Sequence, residues 1–374
     1  MSENPNEPTI EDEDLILTHD ELEDLSDADP NPPSVSYAGQ DFDVLGLVRR
    51  LDAGDIAVPR FGLSDPSIES AGFQRGFVWT KKQMDRFVES LILGFPVPGI
   101  FLVRQKSDHR YLVLDGQQRL LTLQYFYRGI YSTREFSLQN VSDRLKGKTY
   151  ASLDDRDRRT IDNSFMQATV VTTDGSKESL ESVYQIFERL NAGGTQLTPH
   201  EIRVALYAGP LVDLIEELNV RPSWRSLYGR KSPRLRDQEL VLRILAMYLK
   251  SDEYARPLKA FLNDFAEEFR QAAAPALVSA KGLFEQASDL LDQTVGEDAL
   301  RKNSRQVNAA RTEAIFFGLM SRLASGSLPR EDVAVALNAL DGVREFDEAT
   351  SRSTADENVV SARLTASLTA FQGV

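Results

Sequence analysis

The hydrophobic pattern of this chain changes type near residue 210, and this change constrains the fold more than any other feature. Before it, short β-rich segments alternate with helical stripes, and after Pro210 only helical periodicities follow, without a repeat of fixed length. Strands confined to the first part predict a mixed α+β lobe followed by an all-helical lobe. The 374 residues are enough for two lobes. We expect a disordered acidic tail at residues 1–40, an α+β domain at 41–209 and a helical domain at 210–374.

Acidic residues are concentrated at the beginning of the chain. Residues 1–40 contain twelve Asp and Glu but no Lys or Arg, so only −2 of the formal net charge of −14 belongs to the rest. This composition predicts either a solubilising tail or a partner-binding segment. It disfavours strong non-specific DNA binding without excluding one basic groove. Because the chain has no cysteine and no apolar run long enough for a membrane helix, we predict a cytoplasmic protein without disulfides.

The most distinctive polar string is Asp115-Gly116-Gln117-Gln118-Arg119, between an apolar strand and an apolar helix. Polar residues in such surroundings are costly to bury unless a ligand or each other satisfies them. Gly116 permits a positive φ, a helix N-terminus suits an anion, and Arg119 can bind phosphate bidentately. Asp115 would hold Mg²⁺ or an attacking water, which Gln117 and Gln118 would orient. On local pattern alone, a structural turn with an Asp–Arg pair is the alternative.

Two further segments carry polar residues in comparable positions. Gln74 and Arg75 lie in an apolar setting, where Arg75 would be a second cationic arm or a surface side chain on a strand. The loop from Asn191 to Thr195 contains Gly193 and Gly194, so its backbone N–H groups and the Thr195 hydroxyl would cover the phosphates. An ordinary linker between helices is the alternative for this loop.

A helix start follows that loop. Thr198-Pro199-His200-Glu201 fits a capping box with proline at the first helical position. Glu201 is either a metal ligand or a capping residue only, and we expect His200 to be exposed to solvent. A basic cluster between Arg221 and Arg236 would face DNA or form a solvated linker.

Several common catalytic patterns are absent from the sequence. It has no Gly-x-x-x-x-Gly-Lys-Ser/Thr phosphate loop, and its three histidines, His19, His109 and His200, lie far apart. They form neither a His-Asn-His nuclease pattern nor a zinc pair. Cleavage of DNA by this chain alone is therefore not expected.

The motifs, taken in order, resemble the N-terminal domain of GmrSD-type modification-dependent restriction enzymes over roughly residues 41–250. The resemblance rests on Phe73-Gln74-Arg75 to Trp79, Gly94-Phe95-Pro96-Val97-Pro98, Asp115-Gly116-Gln117-Gln118-Arg119, and Arg189-Leu190-Asn191-Ala192-Gly193-Gly194 to Glu201-Ile202-Arg203. It implies a ParB/sulfiredoxin-like α+β core, binding and hydrolysis of a nucleoside triphosphate (NTP), and a role in defence against phage or modified DNA. Unlike fused members, this chain has helical residues 210–374 in place of a His-Asn-His domain, which suggests a separate nuclease partner.

We therefore hypothesise an NTP phosphohydrolase that uses Mg²⁺ or another divalent cation in a restriction or anti-phage system. The alternatives are a DNA-binding or nicking protein that uses the same groove, and a non-catalytic nucleotide-gated adaptor. DNA and a second copy of the chain are further candidate partners. The candidate catalytic residues are Asp115, Gln117, Gln118 and Arg119; the nucleotide-binding residues are Gln74, Arg75, Gly116, Asn191, Gly194 and Thr195; the metal ligands are Asp115 and Glu201.

Overall fold

A computed structural model describes residues 35–58, 79–104, 109–174, 176–191, 198–207, 209–301, 306–351 and 354–374. Two compact units divide between residues 197 and 198, and we call them the α+β unit and the helical unit. The sequence placed the division after residue 209. The helix that follows Thr198 belongs to the helical unit because it packs there, with Arg203 Nε donating to Asn263 Oδ1 at 2.9 Å.

The α+β unit is built on one five-stranded sheet. Its strands are β1 (Ser36–Asp43), β2 (Ile56–Ala57), β3 (Ile100–Arg104), β4 (Tyr111–Asp115) and β7 (Phe165–Thr172), while β5 (Ile130–Tyr131) and β6 (Arg134–Glu135) form a separate hairpin. The order across the sheet is β1-β7-β3-β4-β2. The β1–β7 and β3–β4 pairs are antiparallel, whereas β3–β7 and β2–β4 are parallel. This mixed sheet confirms the predicted α+β class.

The described residues of this unit form five α-helices: α1 (Val44–Ala53), α2 (Lys81–Ile92), α3 (Gln117–Arg128), α4 (Asp155–Asp162) and α5 (Lys177–Asn191). Apolar residues of α1, α2 and α3 form one core with the sheet, including Leu47, Val88 and Leu120. The Thr80-Lys81-Lys82-Gln83 segment fits the capping-box pattern, and the structure has both bonds: Thr80 N donates to Gln83 Oε1 at 2.8 Å, and Gln83 N donates to Thr80 Oγ1. Helix α2 therefore begins where the sequence indicates.

The first strand corrects the expected extent of the acidic tail. Residues 36–40, assigned to the tail, belong to β1, and the first helix of the α+β unit begins at Val44. Asp43 is its N-cap, accepting a hydrogen bond from Gly46 N. Local composition did not indicate β1 because its partner β7 is distant in sequence.

The helical unit contains α6 (Pro199–Leu206), α7 (Pro210–Asn219), α8 (Pro222–Tyr228), α9 (Arg236–Lys250), α10 (Leu258–Glu268), α11 (Pro275–Thr294), α12 (Ala309–Ala324), α13 (Arg330–Asp341), α14 (Arg344–Ala349) and α15 (Glu357–Gln372). Its described residues contain no strand, which confirms the predicted helical region. The short helices α8 and α14 were not predicted. No helix in the described ranges has the length and apolar character needed to cross a bilayer.

Basic residues near the start of the helical unit have partners inside it. Four of them bind carboxylates: Arg221 with Asp289, Arg225 with Asp237, Lys231 with Glu216, and Arg234 with Glu201. Their charges are neutralised by packing within the unit.

Candidate functional site

The polar string lies at the junction between β4 and α3. Strand β4 ends at Asp115, Gly116 has φ 97° and ψ 9°, and α3 begins at Gln117. No side chain of the described residues caps this helix, and its first turn contains no acidic residue. The positive end of the helix dipole therefore lies at this junction, where it favours an anion.

Both the limited space around position 116 and its backbone conformation require a glycine there. A Cβ atom there would lie 2.3 Å from Ile100 Cγ2 and 3.3 Å from Arg119 Nη2. The first distance is far below van der Waals contact, and a positive φ adds strain for a residue with a side chain. The arginine head therefore lies against the glycine at the helix N-terminus.

Arg119 forms an ion pair one turn back along the chain. Its Nη2 donates to Asp115 Oδ2 at 2.7 Å, and the two side chains are 15% and 46% exposed. Among the described residues, none accepts a hydrogen bond from the buried Arg119 Nε. The expected Asp–Arg pair is therefore present, and the guanidinium retains donor capacity. The pair alone does not separate the structural-turn interpretation from phosphate binding.

The two glutamines lie on the first turn of α3 and are half-buried. Gln118 Oε1 accepts a hydrogen bond from Trp79 N at 3.2 Å, which ties the junction to the segment before α2. The Trp79 ring packs edge-on against Phe87, with centroids 5.4 Å apart. Trp79 thus packs against the core of the α+β unit.

Other candidate residues fall in parts of the chain that the structure does not describe. Gln74, Arg75, Gly194 and Thr195 lie outside the described residues. Asn191 is the last residue of α5, and its side chain also lies outside the description. The roles of these five residues remain predictions.

Glu201 has a structural role inside the helical unit. It is buried, and its Oε2 accepts hydrogen bonds from Thr198 N at 2.6 Å and Arg234 Nη2 at 3.3 Å. The predicted capping box is thus confirmed. Among the described residues, no group of three or more metal-ligating side chains includes Glu201.

His200 is buried, not exposed as the sequence indicated. It is 1% exposed, and its Nδ1 lies 3.3 Å from Arg203 Nη1. Burial and the neighbouring Arg203 guanidinium hold the pKa of His200 well below its usual value, although Gln238 acts in the opposite direction. The neutral ring thus accepts a hydrogen bond from Arg203. Local sequence carried no signal for this contact, because α10 completes it by packing Asn263 against Arg203.

The junction has one carboxylate, Asp115, which would suit a metal bound together with phosphate and not a metal held by protein side chains alone. The described residues contain no group of three or more His, Cys, Asp and Glu side chains placed to hold a metal. Mg²⁺ commonly takes one or two carboxylates, with substrate phosphates and water completing its shell. Asp115, which is half-exposed beside an uncapped helix N-terminus, fits that pattern.

Comparison with known proteins assigns this chain to the class of restriction and defence system components. Residues 62–208 match the family model described as GmrSD restriction endonuclease, N-terminal domain, so this part of the chain is similar to that domain. The match includes the β4–α3 junction and extends through α6. No curated protein and no solved structure matches the chain.

Gly116→Ala is expected to destabilise the protein more than the same change at Gly129. Both glycines have positive φ, but a Cβ at Gly129 would meet nothing within 4 Å. The positive φ costs about 1–3 kcal/mol at either position. Contact with Ile100 adds about 1–3 kcal/mol at Gly116 only. Urea unfolding of the two variants measures the difference, and equal losses would contradict the close approach.

Stability is expected to fall as the pH drops below about 6.5, with His200 as a contributor. The unfolded chain takes up a proton near that pH, whereas the buried ring resists it because its pKa is lowered. The contribution of His200 is thus fully present above pH 6.5 and is lost as the pH falls toward the folded-state pKa. Thermal unfolding across this range should show a shallower slope for His200→Gln. A slope unchanged from the wild type would contradict this contribution of His200.

Proposed function

We propose that the β4–α3 junction binds the phosphate groups of a nucleoside triphosphate and that the chain hydrolyses it. One observation carries this proposal: the Arg119 guanidinium lies directly against Gly116, the N-cap residue of α3. A helix N-terminus and an arginine offer convergent donors to the same oxyanion. A structural turn would explain the Asp–Arg pair but gives no reason for a cation at the positive end of a helix.

The residues of the junction have distinct roles in this proposal. Arg119 exchanges its Asp115 partner for a phosphate oxygen, which leaves the Asp115 carboxylate available to a divalent cation or a water. Gln117 and Gln118 orient the attacking water, and Gly116 allows the phosphates to approach the backbone. A bound Mg²⁺ would neutralise the phosphate charge. Catalysis then depends mainly on positioning and charge stabilisation.

The remaining candidate residues complete the site in the same proposal. Gln74 and Arg75 form a second arm on the phosphates, and Asn191, Gly194 and Thr195 cover them from the loop after α5. Glu201 is left out because its carboxylate already binds Thr198 and Arg234. Asp115 is then the single protein carboxylate proposed for the metal.

The GmrSD family assignment supports a place for this activity in a restriction or anti-phage system. We propose that the chain acts in the cytoplasm and that a separate chain supplies the nuclease. The histidines give no nuclease constellation, since His200 is buried against Arg203 and His109 is distant in sequence. Sensing of modified DNA would then control the cleavage by that partner.

The direct experiment is phosphate release from GTP and ATP by the purified full chain, with Mg²⁺ and with a chelator. We expect metal-dependent turnover, and Asp115→Asn should reduce it more than it reduces nucleotide binding. Failure of both nucleotides to bind at millimolar concentration would overturn the proposal. Binding without any turnover would instead support the nucleotide-gated adaptor, and salt-dependent DNA binding without nucleotide would support the DNA groove.

A further inference from the structure

Strand β1 forms an unprotected edge of the five-stranded sheet. Within the described residues, β7 is the only strand that pairs with it. The strand has eight residues, and all of them except Phe42 are exposed. The opposite edge, β2, has only two residues, Ile56 and Ala57, and offers little to a partner.

Proteins usually protect a long edge strand, and β1 lacks the usual protection. Lysine, proline and bulges are common devices against unwanted pairing. The sequence of β1, Ser-Tyr-Ala-Gly-Gln-Asp-Phe-Asp, contains neither lysine nor proline. Its register with β7 is continuous from Ser36 opposite Thr172 to Asp43 opposite Phe165, without a bulge. Within the described part of the chain, the outer backbone groups of β1 thus have no strand partner and can serve as a template for another strand.

Two large aromatic side chains are exposed on one face of the β1–β7 ribbon. Tyr37 is 74% exposed and Phe165 is 70% exposed. Phe165 lies opposite Asp43, and Tyr37 and Asp43 both lie on the face away from the buried Phe42. The two rings therefore stand at opposite ends of the same face, at the exposed side of the sheet.

We propose that β1 is the contact through which two copies of this chain pair, antiparallel, across a two-fold axis at Gly39 or Gln40. The two five-stranded sheets then become one continuous sheet. With a two-fold axis perpendicular to the sheet, odd-numbered residues of one copy lie opposite odd-numbered residues of the other, and even-numbered opposite even-numbered. Side chains that share a face in one copy therefore share the same face of the combined sheet. Tyr37 of one copy then lies near the end of the other copy's β1–β7 ribbon at which Phe165 is located.

Charge favours this orientation over a parallel one. All twelve acidic residues of the segment 1–40 precede β1, so parallel pairing would bring two such segments together. In the antiparallel pair the two copies of Ser36 are about 20 Å apart at about 3.3 Å per residue. That distance is more than twice the Debye length of about 8 Å at physiological ionic strength. Asp41 lies opposite Gly39 or Tyr37 and meets no acidic residue.

The first test is sedimentation of the full chain over a range of concentrations, for the wild type and two proline variants. Alternate residues of β1 direct their N–H toward β7 or toward the open edge. One of the two substitutions Ala38→Pro and Gly39→Pro therefore removes an N–H that points toward the open edge, and the other removes an N–H that points toward β7. We expect a wild-type dimer, and one of these variants should be a monomer with an unchanged melting temperature. A wild type that is monomeric at every concentration, or a dimer that survives both substitutions, would overturn the proposal.

The second test uses the absence of cysteine from the chain. A residue at the two-fold axis faces its own copy at a Cα distance of about 4.5–5.5 Å, which a disulfide can span. We expect Gly39→Cys or Gln40→Cys to form a disulfide-linked dimer under mild oxidation, whereas Ser36→Cys should not. Equal cross-linking at Ser36 would indicate parallel pairing and contradict the proposed two-fold.

Discussion

Replacing Arg119 by alanine is expected to lower the kcat for GTP or ATP by a factor of about 100–1,000, the usual cost of removing one donor from a charge-stabilising site. The guanidinium lies against Gly116 at the N-terminus of α3, where phosphate charge would be stabilised. Lysine keeps the charge but not the planar fork, so Arg119→Lys should recover only part of the activity. Phosphate release under saturating nucleotide measures both effects.

Folding and catalysis can be separated for this variant. Asp115 is 46% exposed, so it stays hydrated when its partner is lost. Partly exposed ion pairs of this kind contribute about 0–1 kcal/mol, and the melting temperature should change little. Arg134→Ala, at an exposed arginine of β6, is the matched control and should keep full activity. If the Arg119→Ala variant keeps the wild-type turnover, the Asp115–Arg119 pair has only a structural role in the turn.

Glu313→Gln is expected to destabilise the protein by about 3–5 kcal/mol, because it leaves buried arginines without their counter-charge. Glu313 Oε2 accepts a hydrogen bond from Arg243 Nε at 2.9 Å, and Oε1 accepts one from Arg363 Nε at 2.9 Å. These contacts join α9, α12 and α15. Burial alone would raise the pKa of Glu313, but the two guanidiniums outweigh it and lower the pKa. Urea unfolding measures the change in the free energy of unfolding.

An exposed ion pair provides the control for this change. Arg344 Nε donates to Glu348 Oε1 at 2.8 Å, with both side chains in solvent. Glu348→Gln removes the same charge from the same unit, and no measurable loss of stability is expected. If Glu313→Gln and Glu348→Gln lower the free energy of unfolding equally, the burial of Glu313 with its two arginines does not increase the contribution of these ion pairs to stability.

Local patterns predicted the parts of the site that one segment can specify. The apolar run before Asp115, the glycine after it and the apolar helix beyond them gave the β4–α3 junction. The same holds for the capping boxes at Thr80 and Thr198, where the donor and acceptor are three residues apart. Each of these features depends on contacts within one or two turns.

Contacts between distant segments were not predicted. His200 was expected in solvent, yet it is buried because α10 packs against the start of α6 and places Asn263 on Arg203. Strand β1 was missed because β7, far along the chain, supplies its hydrogen bonds. Arg234 was expected to face DNA or to lie in a solvated linker, yet it binds the buried Glu201. In each case a charge or a backbone group has its partner elsewhere in the chain.

The sequence by itself determined the two-part organisation, the Asp-Gly-Gln-Gln-Arg junction and its GmrSD family resemblance, because periodicity, capping and turn chemistry are local. Only the tertiary structure decided that Arg119 lies against Gly116, that Glu201 is held by Arg234, and that β1 is an open edge. Burial and charge pairing depend on which distant segments pack together. That information is distributed over the whole chain, and no single motif contains it.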